Sequence, residues 1–222
     1  MKTFNQWIEN PTQNIDEGAF GFLNNKNADR NSHSITEFRQ TPIVQPKNKE
    51  ELKKIINDTI KEKGDHCDLN FIDTSLITDM SELFAGPSEF NGIISKWNTS
   101  NVRDMSGMFS ENIYFEGDLS DWDVSNVEDM STMFYATSFK GNLSKWNVSK
   151  VRYMGYMFAE SEFNKDIAEW DVSNVINMDH MFYRSAFDKD ITKWDVSYGV
   201  CMDYMFKDSE LEKNDAIPEW YY

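Results

Sequence analysis

One unit of some two dozen residues occurs six times in succession between residues 70 and 206, and it limits what this chain can fold into. Counted from the tryptophan of the unit, Met follows at position plus eight, Met or Leu at plus eleven and Phe at plus twelve. The tryptophans are Trp97, Trp122, Trp146, Trp170 and Trp194, and Ile72 takes the same place one unit earlier. A fixed period of this length is typical of a solenoid, in which each unit packs only on its neighbours.

The spacing of apolar residues within the unit predicts a short strand followed by a helical turn. Trp122 and Val124 alternate with Asp residues, as on a strand with one wet face. Met130, Met133 and Phe134 then follow at helical spacing. The predicted fold is therefore a leucine-rich-repeat-like solenoid of six strand-plus-helical-turn units, each about 24–25 residues long, with an N-terminal capping helix. The Trp, Met and Phe positions are expected to stack into a continuous apolar core.

The remaining segments divide the chain into four parts. Residues 1–46 form an N-terminal arm, in which Phe4, Trp7 and Ile8 could share one apolar helical face. The arm is either a disordered leader or an anchor that docks on a partner. Residues 47–68 contain the capping helix, predicted over 48–63 and ended by Gly64. Residues 69–206 are the six-unit solenoid, and residues 207–222 are a C-terminal cap.

The repeat resembles a known family at specific motifs. The run Trp122-Asp123-Val124-Ser125-Asn126-Val127-Glu128-Asp129-Met130-Ser131-Thr132-Met133-Phe134 and the run Phe163-Asn164-Lys165-Asp166-Ile167 are similar to the W-D-V-S-N-V-x-x-M-x-x-M-F and F-N-x-D-I repeat of BspA-like leucine-rich-repeat surface proteins. The segment from Pro46 to Leu52 also resembles the opening helix of that family. The resemblance implies a non-catalytic binding protein, and it identifies no ligand.

Candidate binding residues lie where the repeat does not dictate residue identity. The outward row on the predicted strands is mostly acidic and comprises Asp73, Asn98, Asp123, Asn147, Asp171 and Asp195. It is either a solvated face or a face that binds a basic or polar partner. Tyr135 and Tyr183, at position plus thirteen, and Tyr156, near that position, are candidate anchors on the helical-turn side, unless they pack between neighbouring units.

Composition narrows the classes of function. The net charge of −16 disfavours binding to nucleic acid or to an anionic membrane, because phosphate groups need clustered Lys and Arg. No catalytic or nucleotide-binding motif occurs, so neither an enzyme nor a cofactor is expected. The methionines recur at the spacing of core residues, and the histidines and cysteines lack the spacing of a zinc site, so no metal site is expected from them. Calcium binding to the acidic row stays open. Cys67 and Cys201 are expected to be free thiols.

These observations predict a non-enzymatic protein-interaction module that uses its solenoid surface. The first alternative is an architectural component of a larger assembly such as a virion, anchored by residues 1–46. A second alternative is a surface adhesin. The start of the chain lacks the apolar stretch of a secretory signal, and no run is long enough to span a membrane. The expected location is therefore the cytoplasm or an assembly built there, rather than the cell surface.

Overall fold

A computed structural model describes residues 43–222, and the candidate anchors Phe4, Trp7 and Ile8 lie outside the described residues. Helix α1 spans Lys49–Lys63. It begins where the Asn48 side chain accepts a hydrogen bond from the Glu51 N–H, and it ends at Gly64, whose φ is +83°. Leu52 and Ile56 on its inner face are fully buried. A helix thus forms where the capping segment was predicted.

The other helices of the described part of the chain are short and lie at its C-terminal end. Helix α2 spans Glu210–Lys213, and a 3₁₀ helix, η1, spans Glu219–Tyr221. The side chain of Ser209 caps α2 by accepting a hydrogen bond from the Glu212 N–H. Within residues 43–222, no helix is long and apolar enough to cross a membrane.

The predicted strand-plus-helical-turn solenoid is wrong. Residues 43–222 contain no β-strand, and the segment between α1 and α2 consists of turns joined by isolated parallel bridges. The Trp122 N–H donates to the Leu119 carbonyl at 3.2 Å, which closes a turn where the spacing predicted an extended strand. The predicted helical turn fails for a different reason. Thr132, between Met130 and Phe134, has a φ of +56°, which is incompatible with a right-handed helix.

Successive repeats are joined by backbone hydrogen bonds that run from each repeat to the next. The N–H groups of Met130, Thr132 and Phe134 donate to carbonyls of the following repeat, at 2.9–3.0 Å. Single parallel bridges mark the same register, as between Asp129 and Tyr153. The donors of one repeat therefore depend on the acceptors of its neighbour.

The apolar core follows the repeat as predicted. Apart from Met202, which is partly buried, its Trp, Met and Phe side chains are almost fully buried; Trp122, for example, is 4% exposed and Met130 is fully buried. The rings of Phe134 and Phe158 stack with centroids 5.7 Å apart. Each repeat tryptophan also donates a hydrogen bond to a carbonyl of the preceding repeat, as from Trp146 Nε1 to the Leu119 carbonyl at 3.0 Å. The core is thus fixed by directional bonds as well as by packing.

Candidate binding surfaces

The predicted acidic row is built into turns. The Asp123 carboxylate accepts the N–H of Ser125, two residues further on, at 3.0 Å. Asp171 accepts both the N–H and the hydroxyl of Ser173, at 3.1 Å and 2.6 Å. These bonds from Ser125 and Ser173 hold the pKa of Asp123 and Asp171 below the ordinary value of an aspartate. The side chains therefore shape the backbone at the same time as they present charge.

The row as a whole repeats this arrangement. The residues that accept the N–H two positions on are Asp73, Asn98, Asp123, Asn147 and Asp171. Asp195 is exposed and makes no such bond within the described residues. An Asp or Asn at this position is thus explained by turn formation. Its use as a binding face stays a prediction.

The candidate anchors Tyr135 and Tyr183 are partly buried. Burial, with smaller contributions from nearby carboxylates such as that of Glu160, raises the pKa of the Tyr135 phenol. Tyr183 meets the edge of the His180 ring at 5.5 Å, and the guanidinium of Arg184 lies 4.9 Å from the centre of the Tyr183 ring. Of the two anchors, only Tyr183 makes a ring contact among the described residues, and that contact joins it to a larger group of surface rings.

That group, which we call the aromatic surface, consists of Tyr156, His180, Tyr183 and Tyr204. The rings of Tyr156 and His180 stack with their centroids 4.4 Å apart and their planes 5° apart. The ring centroid of Tyr204, from the repeat after that of His180, lies 5.2 Å from the His180 ring. Tyr156 is 38% exposed and Tyr204 is 57% exposed. Sequence reasoning missed this surface as a unit. The available signal was the spacing of Tyr156, His180 and Tyr204, which recur at position plus ten of successive repeats.

The backbone under these rings is unfavourable for large side chains. Tyr156, His180 and Tyr204 have φ values of +56°, +56° and +55°, in the left-handed region that favours glycine. Gly107 occupies the same position two repeats before Tyr156, also with positive φ. Backbone geometry therefore does not call for aromatic residues at this position.

Basic side chains lie over two exposed tyrosines, Tyr204 of the aromatic surface and Tyr153, three residues before Tyr156. Arg152 lies 5.8 Å from the centre of the Tyr153 ring, and the Lys207 ammonium lies 5.1 Å from the centre of the Tyr204 ring. These distances are within the range of cation–π attraction. Neither cation forms an ion pair within the part of the chain that the structure describes. A protein of net charge −16 thus presents unpaired positive groups here.

The described residues give little support to other chemistry. They contain no group of three or more His, Cys, Asp or Glu side chains placed to hold a metal ion. Cys67 and Cys201 are free thiols, and burial raises the pKa of Cys67 above its ordinary value. Cys201 is exposed.

Comparison with known proteins identifies one family. The model of a family described as "Mycoplasma protein of unknown function, DUF285" matches residues 51–162 and 135–220, which together cover well over half of the chain. No curated protein matches the chain, and no solved structure matches it.

Proposed function

Because the chain belongs to this family of Mycoplasma proteins of unknown function, for which no activity is described, we propose its function from its own surface. We propose a non-enzymatic protein-interaction module that contacts its partner with the aromatic surface. The observation that carries the proposal is the line of partly exposed rings formed by Tyr156, His180 and Tyr204. The resemblance of the repeat motif to BspA-like surface proteins supports binding over catalysis.

The residue types of the aromatic surface suit a protein interface. Tyr and Arg are enriched among the side chains that dominate binding energy, because they combine a large contact area with a polar or charged tip. Tyr183 and Arg184 bring these types together, and Tyr153 and Arg152 form a similar pair. The cations that lack an ion pair, Arg152 and Lys207, favour a partner that presents carboxylates next to apolar side chains.

The backbone supplies the second argument. A bulky residue in the left-handed region costs about 1–2 kcal/mol. Non-glycine residues carry this cost at five of the six repeats, and the last three of these place a ring there, although Gly107 shows that glycine is accommodated at this position. Rings held on stacked repeats also lose little freedom when they bind, which favours affinity.

Paired glycine variants test the proposal, because glycine suits the local backbone. The double variant Tyr156→Gly/Tyr204→Gly is expected to keep its fold and lose its partner, and removal of two such anchors typically lowers affinity at least tenfold. Thr132→Gly is the matched control, since Thr132 occupies the same position with φ +56° outside the aromatic surface. Partners are captured from lysate with wild-type protein, identified by mass spectrometry, purified and titrated calorimetrically against all three proteins.

A partner that binds the double variant as tightly as the wild type would refute the proposed contact surface. Equal loss with Thr132→Gly would point to a general effect on the fold and would refute it as well. The architectural and adhesin alternatives stay untested, since no contact among residues 43–222 favours either.

A further inference from the structure

The turns beneath the aromatic surface differ from those of the earlier repeats. In the first three repeats, an Asp at position plus seven accepts the N–H of a Ser at position plus nine, at 2.8 Å. These pairs are Asp79–Ser81, Asp104–Ser106 and Asp129–Ser131. The three repeats that place a ring at position plus ten have other residues at the same two positions. They are Tyr153 and Gly155, Asn177 and Asp179, and Cys201 and Asp203.

Asn177 and Asp179 form a small polar network in the repeat that carries His180. Asn177 Oδ1 accepts the Asp179 N–H at 3.0 Å, and Asn177 Nδ2 donates to Asp179 Oδ2 at 3.3 Å. A Cβ at residue 155 would lie 2.8 Å from Asn177 Oδ1, so Gly155 leaves the space that the Asn177 side chain occupies. The Asp179 carboxylate is thereby held through one oxygen, and its other oxygen, Oδ1, is left for a second donor.

That second donor comes from the next repeat. Asp179 Oδ1 accepts the Asp203 N–H at 2.9 Å. The turn of Asp203 itself offers no carboxylate or amide for this N–H, because position plus seven is Cys201, whose thiol is a weak acceptor. The Asp203 carbonyl accepts the His180 N–H, also at 2.9 Å. The backbone of Asp203 is therefore fixed to the repeat of His180 through both its N–H and its carbonyl.

The ring of Tyr204 follows directly on this fixed residue. Its centroid lies 5.2 Å from that of the His180 ring, with the two planes 41° apart. The N–H groups of Tyr156 and His180 donate to carbonyls of the following repeat, whereas the Tyr204 N–H has no acceptor within residues 43–222. The bond from Asp203 to Asp179 thus restrains the backbone one residue before Tyr204, where Tyr204 makes no such bond of its own.

We infer that Asp179 is a positioning residue of the aromatic surface, because its carboxylate holds Tyr204 against His180. Asn177 and Gly155 support that carboxylate in turn. The use of this arrangement in binding rests on the proposed function. A ring that is already held in place loses less freedom when a partner binds, so its contacts contribute more to affinity. Asp179 acts through Tyr204 and does not itself have to touch the partner.

Nuclear magnetic resonance of the full chain tests the positioning without a partner. Nuclear Overhauser effects from the His180 ring report its contacts with Tyr156 and with Tyr204 separately, and His180→Ala assigns the His180 signals. In Asp179→Ala, the effect to Tyr204 should be lost, because the Asp203 N–H loses its acceptor. The effect to Tyr156 should persist, because the Tyr156 N–H binds the backbone carbonyl of Asp179, which the variant keeps.

Two further variants separate the acceptor oxygen from the charge and from general effects. Asp179→Asn keeps an acceptor oxygen for the Asp203 N–H and loses only the longer bond from Asn177, so both effects should be retained. Ser106→Ala is the matched control, since Ser106 lies at position plus nine of a repeat without a ring, and its hydroxyl donates to Asp104 at 2.7 Å. It removes one side-chain hydrogen bond and should leave both effects unchanged.

The partner purified for the calorimetric titration gives the readout for binding. Asp179→Ala should bind it about tenfold more weakly than the wild type, and Asp179→Asn should bind it as the wild type does. Equal binding by Asp179→Ala and the wild type would overturn the role of Asp179 in binding.

Three spectroscopic results would overturn the positioning itself. They are an unchanged effect to Tyr204 in Asp179→Ala, loss of the effects to Tyr156 and Tyr204 together, and loss of the effect to Tyr204 in Asp179→Asn or Ser106→Ala. A partner that ignores Tyr156→Gly/Tyr204→Gly refutes the proposed function but leaves these spectra unaffected. The two proposals therefore fail separately.

Discussion

Replacement of Trp146 by Phe tests whether the tryptophan hydrogen bonds and the packed core stabilise the stack together. Trp146 is 4% exposed, and its Nε1–H donates to the Leu119 carbonyl at 3.0 Å. That carbonyl also accepts the Trp122 N–H at 3.2 Å, so it keeps one bond in the variant. The lost bond should therefore cost about 1 kcal/mol. Lost burial and the residual cavity add about 1–2 kcal/mol, which gives a total loss of about 2–3 kcal/mol.

Trp220 provides the matched control for this variant. Its Nε1–H makes the equivalent bond to the Ile191 carbonyl at 3.1 Å, but the side chain is only partly buried at the end of the stack. Trp220→Phe should therefore cost only about 1 kcal/mol, because the surroundings are free to collapse around the smaller ring. Urea denaturation followed by near-UV circular dichroism gives both free energies of unfolding. Equal losses in the two variants, or a loss below about 1 kcal/mol for Trp146→Phe, would refute the reasoning.

Two further predictions concern the turns. Gly107→Ala should lower the free energy of unfolding by about 1 kcal/mol, because φ is +60° at this residue and the new Cβ would lie 3.3 Å from Glu82 Cγ. An unchanged thermal midpoint of unfolding would contradict this prediction. The lowered pKa of Asp123 stabilises the folded state above the unfolded pKa of about 3.9, and this contribution is lost as pH falls through the lower folded value. Asn147 forms the equivalent turn, so Asp123→Asn should keep the turn without the carboxylate. Between about pH 6 and about pH 3, the urea midpoint of this variant should therefore fall less than that of the wild type, and equal falls would exclude the contribution of Asp123.

The core could be predicted from the sequence because burial depends on a period that the residues display directly. Met130, Phe134 and Trp122 have a counterpart in every repeat, and only a stack buries all these copies. Helix α1 could also be predicted, since its apolar stripe and Gly64 lie close together in the sequence. Both inferences rest on spacing alone.

The conformation of the repeat could not be predicted in the same way. Alternation of Trp122 and Val124 fits a strand and also fits a series of turns. The distinguishing signal was local: Asp123 precedes Ser125 by two residues, the spacing of a turn closed by a side chain. The spacing of Met130 and Phe134 fits a helix, but their N–H groups donate to the next repeat instead of along their own segment. Local patterns do not reveal this competition with a neighbouring repeat.

The binding surfaces were predictable only in part, for a related reason. The acidic row was identified by position, but the bond from the Ser125 N–H to Asp123, which gives the row its turn-forming role, was not predicted. Tyr183 was identified, whereas Tyr204 and His180 were not grouped with it. To group them, one must know that the residue at position plus ten has a left-handed backbone conformation and that its side chain points outward.

The direction of the hydrogen bonds between repeats explains the two ends of the stack. More of the peptide N–H groups that link repeats point toward the C-terminal side, as at Met105, Met130 and Met154, than toward the N-terminal side, as at Glu128. Aligned peptide dipoles leave partial negative charge at one end and partial positive charge at the other, as in a helix. At the carbonyl end, the Lys49 ammonium binds Asp79 at 3.0 Å and also contacts Ser81. At the N–H end, the Glu212 carboxylate accepts the Asp208 N–H at 2.6 Å. Helices α1 and α2 thus each place a charge of the sign that the exposed peptide groups favour.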